Sequence, residues 1–280
     1  MQILDLINSG SRQLKNNNIN SCRLDSEILL AKILNKKREE LLIDLNKEVS
    51  QQDIQYYKKL ISRRSSNEPI AYILEEKEFW SKNYFVNKNT LIPRPETELM
   101  VEKITDYFKK KNLIILDIGT GTGCILLSIL SELKFSKGVG IDICREAIKV
   151  ATQNSIRHNL KHKSKFYRKS FTEIYHHKFD LLVSNPPYIR KKELKNLKED
   201  IKNFEPKLAL DGGNDGLDVI RKVIYKSNEI LKVKGMLALE IGNEQFKKVS
   251  IILKKNKFRI RFLIKDYRDN VRSIISVKES

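Results

Sequence analysis

The sequence predicts an α/β fold: a mostly parallel sheet with helices on both faces, finished by an antiparallel hairpin and preceded by a small helical bundle. Three observations predict it. Apolar residues recur at helical spacing over residues 3–65, short β-rich runs alternate with amphipathic stretches over 113–254, and two late β-like runs stand too close together for a parallel crossover.

Taken in order, Ile3, Leu6 and Ile7, then Ile28, Leu29, Ile33 and Leu34, then Tyr56, Tyr57, Leu60 and Ile61 mark short helices, with polar breaks at 16–20 and 46–50. Residues 68–91 contain Pro69, alternation around Phe79-Trp80 and the pair Phe85-Val86, a pattern that predicts a connecting hairpin rather than another helix. The expected division is a helical domain over 1–75, a hairpin linker over 76–92 and a larger domain over 93–280. In the larger domain strands are expected at 113–118, 138–143, 165–168, 179–184 and 236–241, and helices at 124–133, 145–159, 217–231 and 244–254. Such alternation demands crossovers and parallel strands. The runs 258–264 and 273–277 come next with a short connection, which only antiparallel neighbours accept.

With 40% hydrophobic and 32% charged residues in 280, the composition suits a soluble globular chain and excludes a disordered one. No apolar run approaches the roughly 18 to 20 residues of a membrane span, and residues 1–9 lack the basic segment of a secretory signal, so a cytoplasmic location is expected. Cys22, Cys124 and Cys144 are widely separated and suggest neither a disulfide framework nor a zinc site. His158 and His162 stand four apart without the acidic residue of an HExxH motif; solvated helix-end histidines are expected, and no metal. The net charge of +19 invites a nucleic-acid reading. Its lysines are spread along the whole chain together with abundant Ile and Asn, so most of it reads as solvated surface. Steering toward an RNA-rich partner such as the ribosome is the secondary expectation, and sequence-specific nucleic-acid contact is not expected.

Asp117-Ile118-Gly119-Thr120-Gly121-Thr122-Gly123 joins a strand to a helix, which puts a glycine turn where backbone can approach a ligand closely. The spacing is GxGxG, with Cys124 where a dinucleotide fingerprint would need glycine, and no Walker lysine comes after it. Asp142 closes the next strand, where one carboxylate can take both ribose hydroxyls of a nucleoside. Alone, such a turn could be a tight connection with no ligand; the agreement of independent features argues for a site. A neutral turn suits a cofactor without phosphates. Adenosyl linked to a zwitterionic amino acid, S-adenosylmethionine, fits, with Asp117 near its sulfonium end.

Asn185-Pro186-Pro187-Tyr188 comes directly after the 179–184 strand, and successive prolines hold its carbonyls still. A planar amide or amino nitrogen is a poor nucleophile because its lone pair is delocalised. The Asn185 side-chain oxygen and the Pro186 carbonyl can each accept one N–H, leaving the lone pair aimed at a methyl group. Tyr188 offers an aromatic face for the acceptor group.

Together these motifs resemble the HemK/PrmC family, the protein-(glutamine N5) methyltransferases that modify the Gly-Gly-Gln loop of peptide chain release factors. The resemblance runs over nearly the whole chain and extends to Glu68-Pro69-Ile70-Ala71-Tyr72-Ile73, Glu78-Phe79-Trp80, Leu91-Ile92-Pro93-Arg94-Pro95-Glu96-Thr97-Glu98, Phe204-Glu205-Pro206, Asp211-Gly212-Gly213 and Asp266-Tyr267-Arg268-Asp269-Asn270. It implies a five-helix amino-terminal domain that binds the release factor, a hairpin linker, and a class I S-adenosylmethionine-dependent methyltransferase domain with a seven-stranded sheet. It further implies cofactor contacts at Gly119 through Gly123, Asp142 and Asn185, a glutamine pocket at Asn185 through Tyr188, and Arg94 and Glu96 beside the acceptor. Phe171 supplies the aromatic face expected near adenine, while Ser170 stands where relatives carry an acidic residue, and Glu75 stands where they usually carry glycine. An N6-adenine DNA or RNA methyltransferase would use a similar Asn-Pro-Pro-Tyr turn on a flipped base, but the small helical domain replaces the large recognition domain it would need. A non-catalytic RNA-binding protein is the other competing expectation.

Overall fold

The computed structural model describes residues 1–175 and 178–279. The chain divides into two compact units, Met1–Glu76 with Lys198–Phe204, and Lys77–Leu197 with Glu205–Ser280.

Among the described residues the amino-terminal part of the smaller unit is built from α1 (Ile3–Asn16), α2 (Cys22–Ile33), α3 (Arg38–Ile43), α4 (Gln51–Ser65) and α5 (Ile70–Leu74), and its second segment, 198–204, adds one short helix. Ile3, Leu6, Ile7 and Leu14 recur on one face of α1 and pack with Leu29, Leu30, Ile54, Leu60 and Ile61 in a single apolar core. Each such side chain contributes roughly 1.5–3 kcal/mol by leaving water. Tyr57 reaches into this core and bonds Ser26 Oγ at 2.6 Å, while Ser26 donates to the Ile7 carbonyl at 2.8 Å. Gly10 makes room for that phenol, since a Cβ there would lie 2.0 Å from its oxygen.

Residues 70–74 form α5, against the hairpin pattern read over 68–91 and in line with a helical domain over 1–75. Pro69 immediately precedes the helix, where its fixed φ costs nothing and its missing N–H has no partner to lose. The hairpin is confined to β1 (Glu76–Phe79) and β2 (Lys82–Phe85), joined by Trp80 and Ser81, both at φ +53°. Two left-handed residues in succession match the strand twist of a two-residue hairpin.

The chain continues through α6 (Pro95–Tyr107), β3 (Ile114–Ile118), α7 (Cys124–Glu132), β4 (Lys137–Asp142), α8 (Arg145–Arg157), β5 (Ser164–Arg168), β6 (Phe179–Ser184), α9 (Glu199–Phe204), α10 (Asp218–Ile230), β7 (Leu231–Glu240), α11 (Phe246–Lys255), β8 (Phe258–Lys265) and β9 (Val271–Lys278). Seven strands form one sheet in the order β5-β4-β3-β6-β7-β9-β8. β3 to β7 are parallel, and β9 runs antiparallel to both β7 and β8. Alternation along the strands sends Ile115 and Leu181 into one apolar layer with Met100, Leu126 and Leu130, and Leu116 and Leu182 into the other with Ile220 and Ile224. Helix α6 was not expected. Pro95 occupies its first turn with Glu96 and Glu98, a start that suits both the proline ring and the helix dipole.

Glu75 caps α5 at φ +56°, so the turn keeps left-handed backbone without glycine. A side chain there costs on the order of 1 kcal/mol. Glu75→Gly is expected to raise unfolding stability by about 1 kcal/mol, read as a higher urea midpoint at unchanged slope; a lower midpoint would show that the glutamate is not strained.

Candidate active site

The C-terminal ends of β3, β4, β6 and β7 lie along one edge of the sheet, fixed by the register of Ile118 beside Ile141 and Ser184, and of Ser184 beside Leu239. After β3 the chain turns through Gly119, Gly121 and Gly123 at φ +71°, +53° and +78°. The Gly119 and Thr120 amides donate to the Ile141 carbonyl at 2.9 and 3.0 Å, and the Gly123 amide to Thr120 at 2.7 Å. A Cβ on Gly119 would meet nothing within 4 Å, whereas one on Gly123 would press Leu127, Ala151 and Phe166. Conformation requires the first glycine and packing the third.

Asp142 closes β4 with both carboxylate oxygens anchored, one by the Gly121 amide at 3.0 Å and the other by the Cys144 amide at 2.9 Å. Burial nonetheless holds its carboxyl above the usual range. Asn154, fully buried on α8, braces the same turn by donating to the Thr122 and Phe85 carbonyls and accepting from the Phe85 amide. Ser170 accepts from the Thr172 amide at the start of the short turn Phe171–Glu173, which presents Phe171.

Beyond β6, Asn185-Pro186-Pro187-Tyr188 is gripped from behind. The Ile189 amide donates to Leu210, the Gly212 amide to Ile189 and the Lys191 amide to Gly213. A Cβ on Gly212 would lie 2.8 Å from Tyr188 Cα and 2.9 Å from the Pro187 oxygen, so this close approach needs glycine. Gln245 Nε2 donates to the Tyr188 and Gly216 carbonyls at 3.0 and 3.2 Å.

Glu240, at the end of β7 and 1% exposed, gathers these elements. Thr97 Oγ1 donates to it at 2.6 Å and the Tyr188 hydroxyl lies 3.5 Å from its other oxygen, while the Asn185 side chain is near enough to draw its carboxyl down. Burial pushes its carboxyl upward. Arg272 donates to the Tyr188 hydroxyl at 3.3 Å and approaches its ring at 5.7 Å, with Asp266 Oδ2 3.8 Å away. Asp266 in turn accepts from the Arg268 and Asn270 amides, so the 266–270 turn supports Arg272. Burial beside Glu240 pushes the Tyr188 phenol up to about 12.

One cavity of about 470 Å³ is lined by Gly119, Thr120, Gly121, Thr122, Asp142, Phe171, Asn185, Pro186, Pro187 and Arg94, bringing the expected cofactor and acceptor residues together. Arg94 is tied to the buried Glu205, which also accepts from the Ile92 amide at 3.3 Å. Asp117, Gly123, Glu96 and Tyr188 lie outside the lining. Asp117 sits beneath the turn, accepting from Thr120 Oγ1 at 2.7 Å. The Tyr188 ring, expected to face the acceptor, is held at Glu240 and Arg272 instead. His158, expected in solvent, packs half-buried against Tyr84, with ring centroids 4.6 Å apart and planes tilted by 54°. Glu240, Gln245 and Asn154 escaped sequence reading, and Thr97 was singled out only as part of the 91–98 motif; a lone carboxylate ending the apolar run Met236-Leu237-Ala238-Leu239 was the one signal for the first.

Residues 5–74 match the family described as PrmC N-terminal domain, and residues 109–277 match a methyltransferase domain family. The chain is 41% identical over 257 residues to the release factor glutamine methyltransferase of Buchnera aphidicola subsp. Schizaphis graminum, covering 92% of this chain and 93% of that one. It is 35% identical over 292 residues to the bifunctional methyltransferase of Rickettsia typhi, covering 97% of this chain. There the chain spans little more than half of the relative, 56% of its length. A solved methyltransferase from Pyrococcus furiosus shares the fold at a TM-score of 0.53 and 17% identity, over 78% of this chain and 98% of that one.

Asp117 is 1% exposed, its Oδ1 has no hydrogen-bond partner, and burial pushes its carboxyl from 3.8 up to about 7. The native state therefore keeps a proton that the unfolded chain releases near 3.8. The resulting stability is complete below that value and is lost as pH rises through about 7. Asp117→Asn removes this dependence: the stability difference between wild type and variant should shift in the variant's favour by a few kcal/mol between pH 4 and 8. Urea unfolding across that range measures it, and a constant difference would refute the buried proton.

Proposed function

The chain belongs to the release factor glutamine methyltransferases, and from that membership we propose that it transfers a methyl group from S-adenosylmethionine to the side-chain amide nitrogen, N5, of the glutamine in the Gly-Gly-Gln loop of class-1 peptide chain release factors. The observation that carries the reading is the meeting of the glycine turn, Asp142, Asn185 and Pro186 in one cavity.

The lining suits this cofactor. Asp142 keeps lone pairs beyond those used by the Gly121 and Cys144 amides, enough for two ribose hydroxyls. Gly119 leaves open space beside the backbone, and Phe171 supplies an aromatic face for adenine. The Ser170 hydroxyl is engaged with Thr172, so the adenine amino group meets no carboxylate at that position. When bound, S-adenosylmethionine supplies an electrophilic methyl carbon on a sulfonium sulfur.

The chain's own contribution is positional. Asn185 Oδ1 and the Pro186 carbonyl each accept one N–H of the carboxamide, directing its lone pair and holding oxygens where the nitrogen becomes acidic. Pro186 and Pro187 restrict φ, and the Gly212 and Gln245 contacts hold the backbone at Tyr188 in place. Tyr188 acts as a buttress between Glu240 and Arg272. Arg94 and Glu96 contribute to release-factor contact at the start of α6, the helical unit 1–75 provides the docking surface, and the +19 charge favours encounter near the ribosome. A cytoplasmic location goes with this proposal; among the described residues no helix is long and apolar enough to cross a membrane.

Mass spectrometry of the release factor's Gly-Gly-Gln peptide should show one added methyl group that depends on this protein, while labelled cofactor transfers nothing to DNA or RNA; the reverse pattern would favour adenine chemistry. Asn185→Ala should lower turnover about 10²- to 10³-fold, with cofactor binding weakened much less. Asp142→Ala should instead raise the cofactor dissociation constant by about tenfold or more, measured by calorimetry. Equal effects of both variants on binding and turnover would rule out the division of labour.

A further inference from the structure

We propose that Glu240 is a positioning residue for methyl transfer: its carboxylate turns the Asn185 amide so that Oδ1, and not Nδ2, faces the acceptor nitrogen. The proposal rests on the functional reading above and adds to it the device that selects one of two nearly isosteric orientations.

An asparagine side chain presents an acceptor on one side and two donors on the other, in almost the same volume. An acceptor N–H needs the oxygen. Turned the other way, Asn185 would set its own N–H bonds against those of the substrate, and the lone pair would lose its guide. Two stiff prolines fix the backbone but leave this rotation undecided.

Glu240 decides it. The parallel register places Ser184 beside Leu239, so Asn185 and Glu240 emerge as neighbours from β6 and β7. An ionised carboxylate only accepts, and the groups that reach Glu240 are able to donate: Thr97 Oγ1 at 2.6 Å and the Tyr188 hydroxyl at 3.5 Å, with the Asn185 side chain brought beside it by the register and near enough to draw its carboxyl down. Arg272, 3.3 Å from that hydroxyl, supplies positive charge behind it, against the negative charge of Glu96 nearby. Thr97 and Tyr188 occupy the remaining oxygen sites from two sides, so Asn185 must offer Nδ2. Burying a carboxylate to this degree is costly, and an apolar residue would end the strand without that cost.

The test compares turnover in Glu240→Gln, Asn185→Asp and the double variant. In Glu240→Gln, Thr97 donates to the introduced amide oxygen, its NH₂ faces Asn185, and Asn185 turns its oxygen inward. Turnover should fall about 100-fold while the cofactor dissociation constant changes by less than about threefold. The double variant places an oxygen of the introduced carboxylate in the cavity whichever way it lies, so it should recover at least about tenfold over Glu240→Gln. A purely structural role for Glu240 gives losses that add, and a double variant no better than Glu240→Gln overturns the proposal, as does unchanged turnover in Glu240→Gln. Side-chain amide NMR, with the Asn185 signal identified by its loss in Asn185→Asp, gives a readout independent of the acceptor. That signal should move in Glu240→Gln, and a stationary signal overturns the proposal. A wild-type protein that leaves the release factor unmethylated refutes the functional reading instead, and the amide signal still decides the orientation.

Discussion

Parallel strands cannot return through a tight turn, and this constraint assembles the site. Each of β3, β4, β6 and β7 must leave the sheet at the same edge before its crossover, so the glycine turn, Asp142, Asn185 and Glu240 meet there although 123 positions separate Asp117 from Glu240. Ligands gather at such an edge because that is where loops, and not core side chains, face the ligand. The two apolar layers hold the strand ends in register, so geometry at the cavity is inherited from packing beneath it.

Against that apolar background the buried polar groups stand out by their cost. A typical internal hydrogen bond contributes only about 1 kcal/mol net, whereas an ill-paired buried carboxyl costs more. Asp117 and Glu240 are both nearly inaccessible, and both are held above the usual carboxylate range by burial. They do different work. Asp117 holds Thr120 under the turn with one oxygen unpartnered, while Glu240 has donors arriving from α6, from the residues after β6 and, through Tyr188, from Arg272 on β9. The terminal hairpin, which looks peripheral in sequence, thereby reaches the centre of the site.

What sequence reading recovered is what is local. The five parallel strands, the hairpin of β8 and β9, and the turn at 119–123 each announce themselves within a window of a few residues, by alternation or by glycine spacing. Helix α5 is a single turn, too short for a period to register, and α6 is obscured because its first residues read as a connecting segment, although Pro95 with two acids in the first turn is a helix start. Pairings are illegible. Thr97 lies 143 positions from Glu240, and Gln245 lies 57 from the Tyr188 carbonyl it holds, distances over which no periodicity speaks. Residue type alone assigns Tyr188 to the acceptor, and the structure gives its ring to Arg272 because its hydroxyl needs buried partners that only the sheet edge supplies. His158 misleads for the converse reason: its sequence neighbours are polar, and the ring it packs on comes from the hairpin.

Two fixed oxygens recognise a pair of N–H bonds and little else. A carboxamide and an exocyclic base amine present the same pair in the same plane, so in the proposed role Asn185 and Pro186 cannot by themselves distinguish protein from nucleic acid. Rigid acceptors raise the rate for whichever planar nitrogen arrives, and selection has to lie in what surrounds the cavity. Around it stand Arg94, already committed to Glu205, the lysines Lys88, Lys169 and Lys222, and Leu208, which lines the cavity with 61% of its surface exposed. A phosphate chain would be drawn to those ammonium groups, whereas a glycine-flanked peptide loop loses nothing to a paired arginine and can cover an apolar side chain, so the rim holds the groups on which either choice would turn. On the proposed reading, then, the chemistry belongs to the strand ends and the choice of acceptor to the rim, and the two can vary independently on one fold.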